Sequence, residues 1–369
     1  MVTGKTEHIG SLLRPGPLLA AREKFADGQL DAAELRSVED NAITSALRAQ
    51  EAAGIDVVTD GEFRRTEFRG GIAAAVSGLV EEVYDSTWHS GEGDVQARSR
   101  RWRVVAPLAE VAPLAGDEAD FLADNASGPY KITVPAPSFM ALRSFVPGAT
   151  VYPSVAELTA AFARVIRDGA LRLIERGVPY LQLDNPGYAA FLDQGSRARL
   201  AASGRDPDEA FHEMLTADRG LLEEINAGRG DRRATVGLHV CRGNNGSYWL
   251  NEGSYDAIAE ELFATLPVDR FLLEFDDDRS GGFEVLRFVP PGKVAVLGLI
   301  STKVPVVETP EELMHRLDEA AAFIEPARLA ISPQCGFATH ADRGNKLSAD
   351  EQYQKLAVAV ETAQRWFGE

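Results

Sequence analysis

The sequence is poor in cysteine, in basic charge and in long apolar runs, and each shortage excludes a class of protein. With only two cysteines, Cys241 and Cys335, a scaffold stapled by several disulfides is excluded. Acidic residues outnumber basic ones by 56 to 38, and the net charge is −18. Binding to a nucleic-acid backbone depends on clustered Lys and Arg, so nucleic acid is not expected as a partner.

No stretch of about 18 consecutive apolar residues occurs, which argues against a membrane span. The first ten residues, MVTGKTEHIG, have no apolar run behind a basic start, so a signal peptide is not predicted either. We therefore expect a cytosolic protein without a membrane partner.

Short β-rich runs alternate with amphipathic helical stretches, the pattern of parallel strands joined by crossover helices. Eight strands are predicted, over 6–11, 55–60, 130–134, 179–184, 234–240, 269–275, 293–299 and 327–332. The clearest predicted helices cover 31–53, 154–176, 207–227, 253–265, 309–323 and 348–367. Eight such strands favour a single (βα)8 barrel domain over 1–369. An open doubly wound sheet is the alternative, but no Gly-x-Gly-x-x-Gly turn follows any strand.

Residues 61–129 do not fit a minimal βα unit, because they are rich in Gly, Arg, Glu and Ser and include a candidate strand at 101–105. We interpret this stretch as a hairpin or lid inserted after the second strand. Barrel active sites lie at the carboxyl-terminal ends of the strands, so an insertion there is typical of a functional role.

His239 and Cys241 form an H-x-C pair at the end of the fifth predicted strand. Residues i and i+2 of a strand point to the same side and can share one metal ion. Glu274 ends the sixth strand and Cys335 follows the last, so a barrel brings all four to one face. An imidazole, a carboxylate and two thiolates suit zinc better than iron or copper. Inert buried thiols or a purely structural zinc are the alternatives.

Five segments together resemble one known family: His239-Val-Cys241, Glu274, Pro333-Gln-Cys335-Gly336, His8-Ile-Gly-Ser11 and Leu181-Gln-Leu-Asp184-Asn-Pro186. Over nearly its whole length the chain is similar to the catalytic barrel of cobalamin-independent methionine synthase. The resemblance implies a zinc site at His239, Cys241, Glu274 and Cys335, where the thiolate of homocysteine takes a methyl group. It also implies that the amino acid part of homocysteine binds to Ile9, Ser11, Glu62 and Asp184. Two carboxylates can bind an ammonium group, and a hydroxyl or backbone N–H groups can bind the carboxylate.

The chain also departs from that family in ways that concern the methyl donor. Where the family has a proton-donating His, this sequence has Ile300, and we consider Lys303 and His8 as replacement acids. The segments that contact folate in the family appear here as 103–107 and 132–137, without the expected aromatic platform for a pterin. These departures place the chain with the short, single-barrel relatives.

The sequence leaves the donor and the exact thiol open. A methyl group on a corrinoid, supplied by a corrinoid protein, a simple folate and a small methylated metabolite are all compatible with it. Three other functions stay as alternatives. They are thiol addition to an epoxide, as in the similar epoxyalkane:coenzyme M transferases, a metal-free decarboxylase of the porphyrinogen type on the same barrel, and a zinc-stabilised binding protein.

Overall fold

The computed structural model describes residues 2–90, 92–148, 151–338, 340–341 and 345–368. Its strands are β1 (Val76–Ser90), β2 (Gly93–Glu110), β3 (Ile132–Pro135), β4 (Tyr180–Asp184), β5 (Thr235–Val240), β6 (Arg270–Glu274), β7 (Val294–Ile300) and β8 (Leu329–Pro333). Strands β3 to β8 pair in chain order as a parallel sheet. Nearly every residue of these six strands is buried, as expected for a parallel sheet covered on both faces.

Two short segments close this sheet into a ring of eight. Thr6 pairs with Ile331 of β8, Glu7 pairs with Val57, and Val58 pairs with Tyr130 just before β3. The ring confirms the predicted (βα)8 barrel and excludes the open doubly wound sheet. The first two segments are shorter than the predicted strands 6–11 and 55–60, because side chains replace the backbone partners there: the Asp56 carboxylate accepts the N–H of Thr6 at 2.9 Å.

The helices surround the ring and lie close to the predicted ranges. They are α1 (Gly16–Ala26), α2 (Ala32–Ala53), α3 (Gly70–Ala75), α4 (Gly116–Asn125), α5 (Pro137–Ser144), α6 (Val155–Glu175), α7 (Gln194–Ala202), α8 (Pro207–Arg229), α9 (Ala259–Thr265), α10 (Pro310–Ala321) and α11 (Ala349–Phe367). Asp31, Thr309 and Ser348 each begin a helix with a capping box, which satisfies two otherwise unpaired backbone groups.

The predicted helix 253–265 is wrong in its first half. Residues Tyr255–Ala257 form a separate 3-10 turn, and α9 begins only at Ala259. The side chain of Tyr255 is fully buried, and its hydroxyl bonds to the backbone of β5 and β6. These inward contacts interrupt the helix.

Strands β1 and β2 form a long antiparallel hairpin between the second and third segments of the ring. It lies inside the range 61–129, where the sequence predicts an inserted hairpin or lid; the limits of that insertion stay a prediction. Near the far end of the hairpin, His89 and Trp249 exchange two backbone hydrogen bonds, of 2.7 and 3.1 Å. Trp249 belongs to the loop after β5, so the hairpin arches over the carboxyl-terminal end of the barrel.

Among the described residues, no helix is both long enough and apolar enough to cross a membrane.

Candidate metal centre and adjoining cavity

The four predicted metal ligands come together at the carboxyl-terminal end of the barrel. One ligand atom from each of His239, Cys241, Glu274 and Cys335 lies within 4.8 Å of those of the others, and all four residues are buried. His239 lies near the end of β5 and Glu274 ends β6, whereas Cys241 follows β5 directly and Cys335 lies two residues after the end of β8. The geometry expected from converging strand ends is therefore present.

The His239 ring is oriented by the neighbouring strand. Its Nδ1–H donates to the carbonyl oxygen of Leu272 at 3.2 Å, which leaves Nε2 as the nitrogen that carries a lone pair. Burial lowers the pKa of His239 to about 3, so the ring is neutral at physiological pH. Nε2 has no hydrogen-bond partner in the described part of the chain. A neutral, oriented imidazole with a free nitrogen is the form that ligates metals.

The two cysteine sulfurs lie 3.2 Å apart, and the N–H of Gly243 points to the Cys241 sulfur at 3.2 Å. The hydrogen bond with Cys335 and burial together raise the pKa of Cys241 well above its ordinary value. Two thiolates this close repel each other unless a cation lies between them. The pair therefore fits a site in which a metal ion supplies that positive charge.

Glu274 presents one oxygen to the protein and one to the centre. Its Oε1 accepts the Arg242 N–H at 2.9 Å, whereas Oε2 has no hydrogen-bond partner among the residues described. Burial raises the pKa of Glu274. Its backbone N–H donates to the Tyr255 hydroxyl at 3.0 Å, and that hydroxyl donates to the Val240 carbonyl at 3.3 Å. Tyr255 thus ties the two ligand-bearing strand ends together.

The donor set of one nitrogen, one oxygen and two sulfurs is one that zinc accepts in a tetrahedral arrangement. Both the free Nε2 of His239 and the free Oε2 of Glu274 are buried atoms that a bound cation would satisfy. The residues present fit such an ion.

A cavity of about 1570 Å³ adjoins this centre. Its lining includes three of the four donors and all four residues predicted to bind the acceptor, namely His239, Cys241, Cys335, Ile9, Ser11, Glu62 and Asp184. Ser11 lies against the turn that carries Cys335: a Cβ on Gly336 would come within 2.1 Å of the Ser11 hydroxyl oxygen, so a larger residue there would force the Ser11 side chain to move.

Two of these cavity residues, Glu62 and Asp184, are buried acids. Glu62 has a positive φ of 58°, its Oε1 accepts from the Thr133 hydroxyl at 2.7 Å, and its Oε2 has no hydrogen-bond partner in the described chain. Asp184 accepts from Gln182 at 2.7 Å. Burial, together with the negative charge of Glu62, raises the pKa of Asp184 to about 8. This side of the cavity therefore favours a positively charged group.

The two candidate acids lie in different places. Lys303 is buried beside the candidate metal centre, with Nζ 3.9 Å from Glu274 Oε2. Burial alone would lower the pKa of Lys303, but the carboxylates of Glu274 and Asp276 raise it overall. The ring of His8 instead bonds to Gln50 of α2 at 2.7 Å and does not line the cavity. Its position does not support the predicted role as an acid.

The cavity has aromatic walls, formed by residues outside the segments 103–107 and 132–137. Phe68 and Phe139 stack with ring centroids 5.8 Å apart and line the cavity together with Trp88 and His89 of β1. Sequence reasoning missed them because they follow no motif and only the hairpin brings Trp88 and His89 to this end of the barrel. It also missed Asn244, whose side-chain N–H₂ donates to the Gly336 carbonyl at 2.8 Å and joins the two cysteine loops.

Comparison with known proteins places this fold and site in one family. The family described as cobalamin-independent synthase, catalytic domain, matches residues 5–365, and the chain belongs to it. The resemblance predicted from the sequence is confirmed.

Individual relatives are similar over nearly their whole length. The uncharacterized protein YxjH of Bacillus subtilis is 33% identical over 367 residues, covering 97% of this chain and 93% of that protein. The methionine synthase of Pyrococcus abyssi is 26% identical over 356 residues, covering 96% and 90%. The crystal structure of a putative vitamin-B12 independent methionine synthase from Listeria monocytogenes is 25% identical, covers 100% of both chains and has a TM-score of 0.74.

Proposed function

We propose that this protein is a zinc-dependent methyltransferase that moves a methyl group to the thiol of homocysteine or a close analogue. The observation that carries the proposal is the meeting, in one cavity, of two chemically different half-sites. One is the donor set of His239, Cys241, Glu274 and Cys335, and the other is the pair of buried acids Glu62 and Asp184.

The first half-site would hold zinc, which lowers the pKa of a thiol so that its sulfur is nucleophilic at neutral pH. This chain's own residues prepare the donors for that task. Leu272 fixes the His239 tautomer, Arg242 holds one Glu274 oxygen, and Tyr255 joins the strand ends.

The second half-site would bind the amino acid end of the acceptor. The Glu62 and Asp184 carboxylates accept hydrogen bonds from the ammonium group, and the Ser11 hydroxyl, with backbone N–H groups around Ile9, binds the carboxylate. An acceptor bound at its amino acid end directs its thiol toward the metal centre. This fixed orientation alone increases the reaction rate. Methionine synthases among the relatives support this choice of acceptor.

The donor is left open by this geometry. A corrinoid-bound methyl group, a folate and a small methylated metabolite each remain compatible with a cavity of about 1570 Å³. Lys303 is the candidate acid that protonates the group left behind when the donor gives up its methyl. Its ammonium lies beside the proposed metal centre, 3.9 Å from Glu274.

The direct test is an incubation of the purified protein and homocysteine with each donor in turn, with methionine measured by mass spectrometry. Methyltetrahydrofolate with one and with three glutamates, methylcobalamin and small methylated thioethers form the panel, and a short epoxyalkane is added as an unmethylated electrophile. Methionine from at least one donor is expected, and none from the Cys335→Ser variant. Product formed only with unmethylated epoxides would indicate thiol addition instead.

Two further measurements separate the remaining alternatives. Zinc near one per chain is expected after gentle purification, and its absence would favour a metal-free decarboxylase. Binding of homocysteine should release at least one proton at neutral pH, because the thiol binds as thiolate and Asp184, whose pKa is raised to about 8 in the empty site, ionises beside the ammonium group. Calorimetry in buffers of different ionisation enthalpy measures that proton, and a buffer-independent enthalpy would contradict the proposal.

A further inference from the structure

A further buried carboxylate, that of Asp218 on α8, lies outside both half-sites. Only 1% of this residue is exposed. Its Oδ2 accepts three hydrogen bonds, from the Ser138 hydroxyl at 2.8 Å, the Asn185 side chain at 2.7 Å and the Tyr188 hydroxyl at 2.9 Å. The Ser138 N–H points to its Oδ1 at 3.4 Å. Neutral donors thus surround the carboxylate.

The three donors come from the two chain segments that frame Asp184. Ser138 lies in the first turn of α5, directly after β3, and Asn185 and Tyr188 follow β4 directly. Asp184 is the last residue of β4, and its carbonyl accepts the N–H of Ala136 at 2.9 Å. Asp218 therefore connects the segments on both sides of the residue that we assign to the acceptor's ammonium group.

Asn185 is the residue that links Asp218 to Asp184. Its backbone N–H donates to the His239 carbonyl at 2.9 Å, and its side-chain oxygen accepts the Gly187 N–H at 2.9 Å. With its side-chain N–H₂ held by Asp218 as well, Asn185 is fixed at three points. These three points fix the direction in which the chain leaves β4 and so the backbone that carries Asp184, whose carboxylate also accepts from Gln182 at 2.7 Å.

A carboxylate buried without a cation is costly to the fold, even when hydrogen bonds compensate part of the cost. Burial raises the pKa of Asp218 to about 6, against the opposing effect of its three hydrogen-bond donors. Local arrangements that cost stability are expected at functional sites.

We propose that Asp218 is a positioning residue that, through Asn185, holds Asp184 in the orientation that binds the acceptor's ammonium group. This inference rests on the proposed function. It predicts that losing the Asp218 charge weakens the binding of thiols that carry an ammonium group and leaves other thiols unaffected.

The test compares two acceptors, homocysteine and mercaptobutyrate, which is homocysteine without its amino group, by calorimetric titration of the zinc-loaded protein. In Asp218→Asn one carboxylate oxygen becomes an N–H₂ group. We expect the Kd for homocysteine to rise about tenfold and the Kd for mercaptobutyrate to change less than about twofold. Glu223→Gln is the matched control, since Glu223 is an exposed acid on the same helix, paired with Arg219.

Two variants guard against an ambiguous result. Tyr188→Phe removes one of the three donors and leaves the packing intact, so about a threefold rise in the Kd for homocysteine is expected even if Asp218→Asn folds poorly. In an Asp184→Asn background the effect of Asp218→Asn should vanish, because the two residues act on one contact.

The outcomes are distinguishable. Equal weakening for both thiols, or additive effects in the double variant, would overturn the positioning role and leave Asp218 as part of the fold only. Unchanged homocysteine binding in both Asp218→Asn and Tyr188→Phe would also overturn it, without touching the proposed function. Failure of the unmutated, zinc-loaded protein to bind homocysteine would overturn the proposed function and this inference together.

Discussion

The two ends of the barrel interior both bury acidic side chains, but only one, the balanced end, holds cations in direct contact with them. Toward the amino-terminal end, Glu7 lies 2.6 Å from the ammonium of Lys131 and 3.0 Å from the guanidinium of Arg270. Toward the carboxyl-terminal, unbalanced end the cations lie farther away, with the guanidinium of Arg65 3.6 Å from Glu62 and the ammonium of Lys303 3.9 Å from Glu274.

We infer from this difference that the acids at the balanced end stabilise the fold, whereas the acids at the unbalanced end bind ligands. Buried anions that are only loosely compensated are unfavourable, so a chain that pairs its acids closely at one end and loosely at the other is prepared to receive further positive charge at the loosely paired end. In the proposed function that charge comes from zinc at Glu274 and from an ammonium group at Glu62.

The largest expected effect is at the metal centre. Cys241→Ser and Cys335→Ser should each lose zinc, from about one ion per chain to almost none, together with methyl transfer, because a hydroxyl is a poor replacement for a thiolate ligand. Far-UV circular dichroism should stay unchanged, since the barrel core does not depend on the ion. Metal analysis is the measurement, and His315→Asn, at an exposed position, is the control. Normal zinc content in both cysteine variants would place the metal elsewhere.

The balanced end should respond in the opposite way. Lys131→Met leaves Glu7 with one cation fewer in a fully buried position, so the free energy of unfolding should fall by about 3–5 kcal/mol. Zinc bound per folded molecule should not change. Urea unfolding measures the first quantity. Arg219→Met, which breaks an exposed ion pair with Glu223, should cost less than about 1 kcal/mol. Similar losses in the two variants would show that Glu7 is not held by its cations.

Removing a charge from the unbalanced end should weaken binding without weakening the fold. In Glu62→Gln the Thr133 hydroxyl keeps an acceptor, and the loss of the ion pair with Arg65 at 3.6 Å is offset by the loss of the repulsion with Asp184, so the free energy of unfolding should change little. The affinity for homocysteine should fall about 10- to 100-fold, the usual effect of losing a charged hydrogen bond. Calorimetry and urea unfolding on the same sample decide this, and a large loss of stability with unchanged affinity would reverse the comparison.

Asp218 is intermediate, being compensated by neutral donors, and should show a smaller, pH-dependent effect. Its pKa is raised to about 6 in the folded protein, so the unfolded chain ionises first as pH rises. Its contribution to stability is therefore largest at low pH and falls as pH rises from about 4 to 6. Between pH 5 and pH 8 the stability advantage of the unmutated protein over Asp218→Asn should shrink by about 1.5 kcal/mol. Unfolding curves at both pH values that shift in parallel would contradict this.

The ring of strands and the metal donors could be predicted from sequence because both follow local rules. Alternation of strands and helices gives a barrel, and a barrel makes Glu274, Cys335 and the His239–Cys241 pair converge whatever the details. The separate turn at Tyr255 could not be predicted in this way, because its cause is a pair of hydrogen bonds to strands far along the chain.

Part of the site could not be predicted from the sequence either, because it depends on contacts between segments that are far apart in the chain. Trp88 and His89 line the cavity only because the hairpin arches back to Trp249, a pairing that no local pattern encodes. The distinction between Lys303 and His8 needed the direction of each side chain. His8 is adjacent to the predicted acceptor residue Ile9 in sequence, yet its ring bonds to Gln50 of α2.

The close approach of Gly336 to Ser11 has a consequence for how the two half-sites act on each other. The N–H of Phe337 donates to the Ser11 carbonyl at 2.9 Å, so the turn that carries Cys335 and the segment assigned to the acceptor's carboxylate share one rigid contact. Any ordering that an ion imposes on this turn is transmitted to the acceptor. Because coupling free energies are reciprocal, an acceptor that binds more tightly to the loaded protein must raise the affinity for the ion by the same factor. Binding of the metal ion and binding of the acceptor therefore strengthen each other.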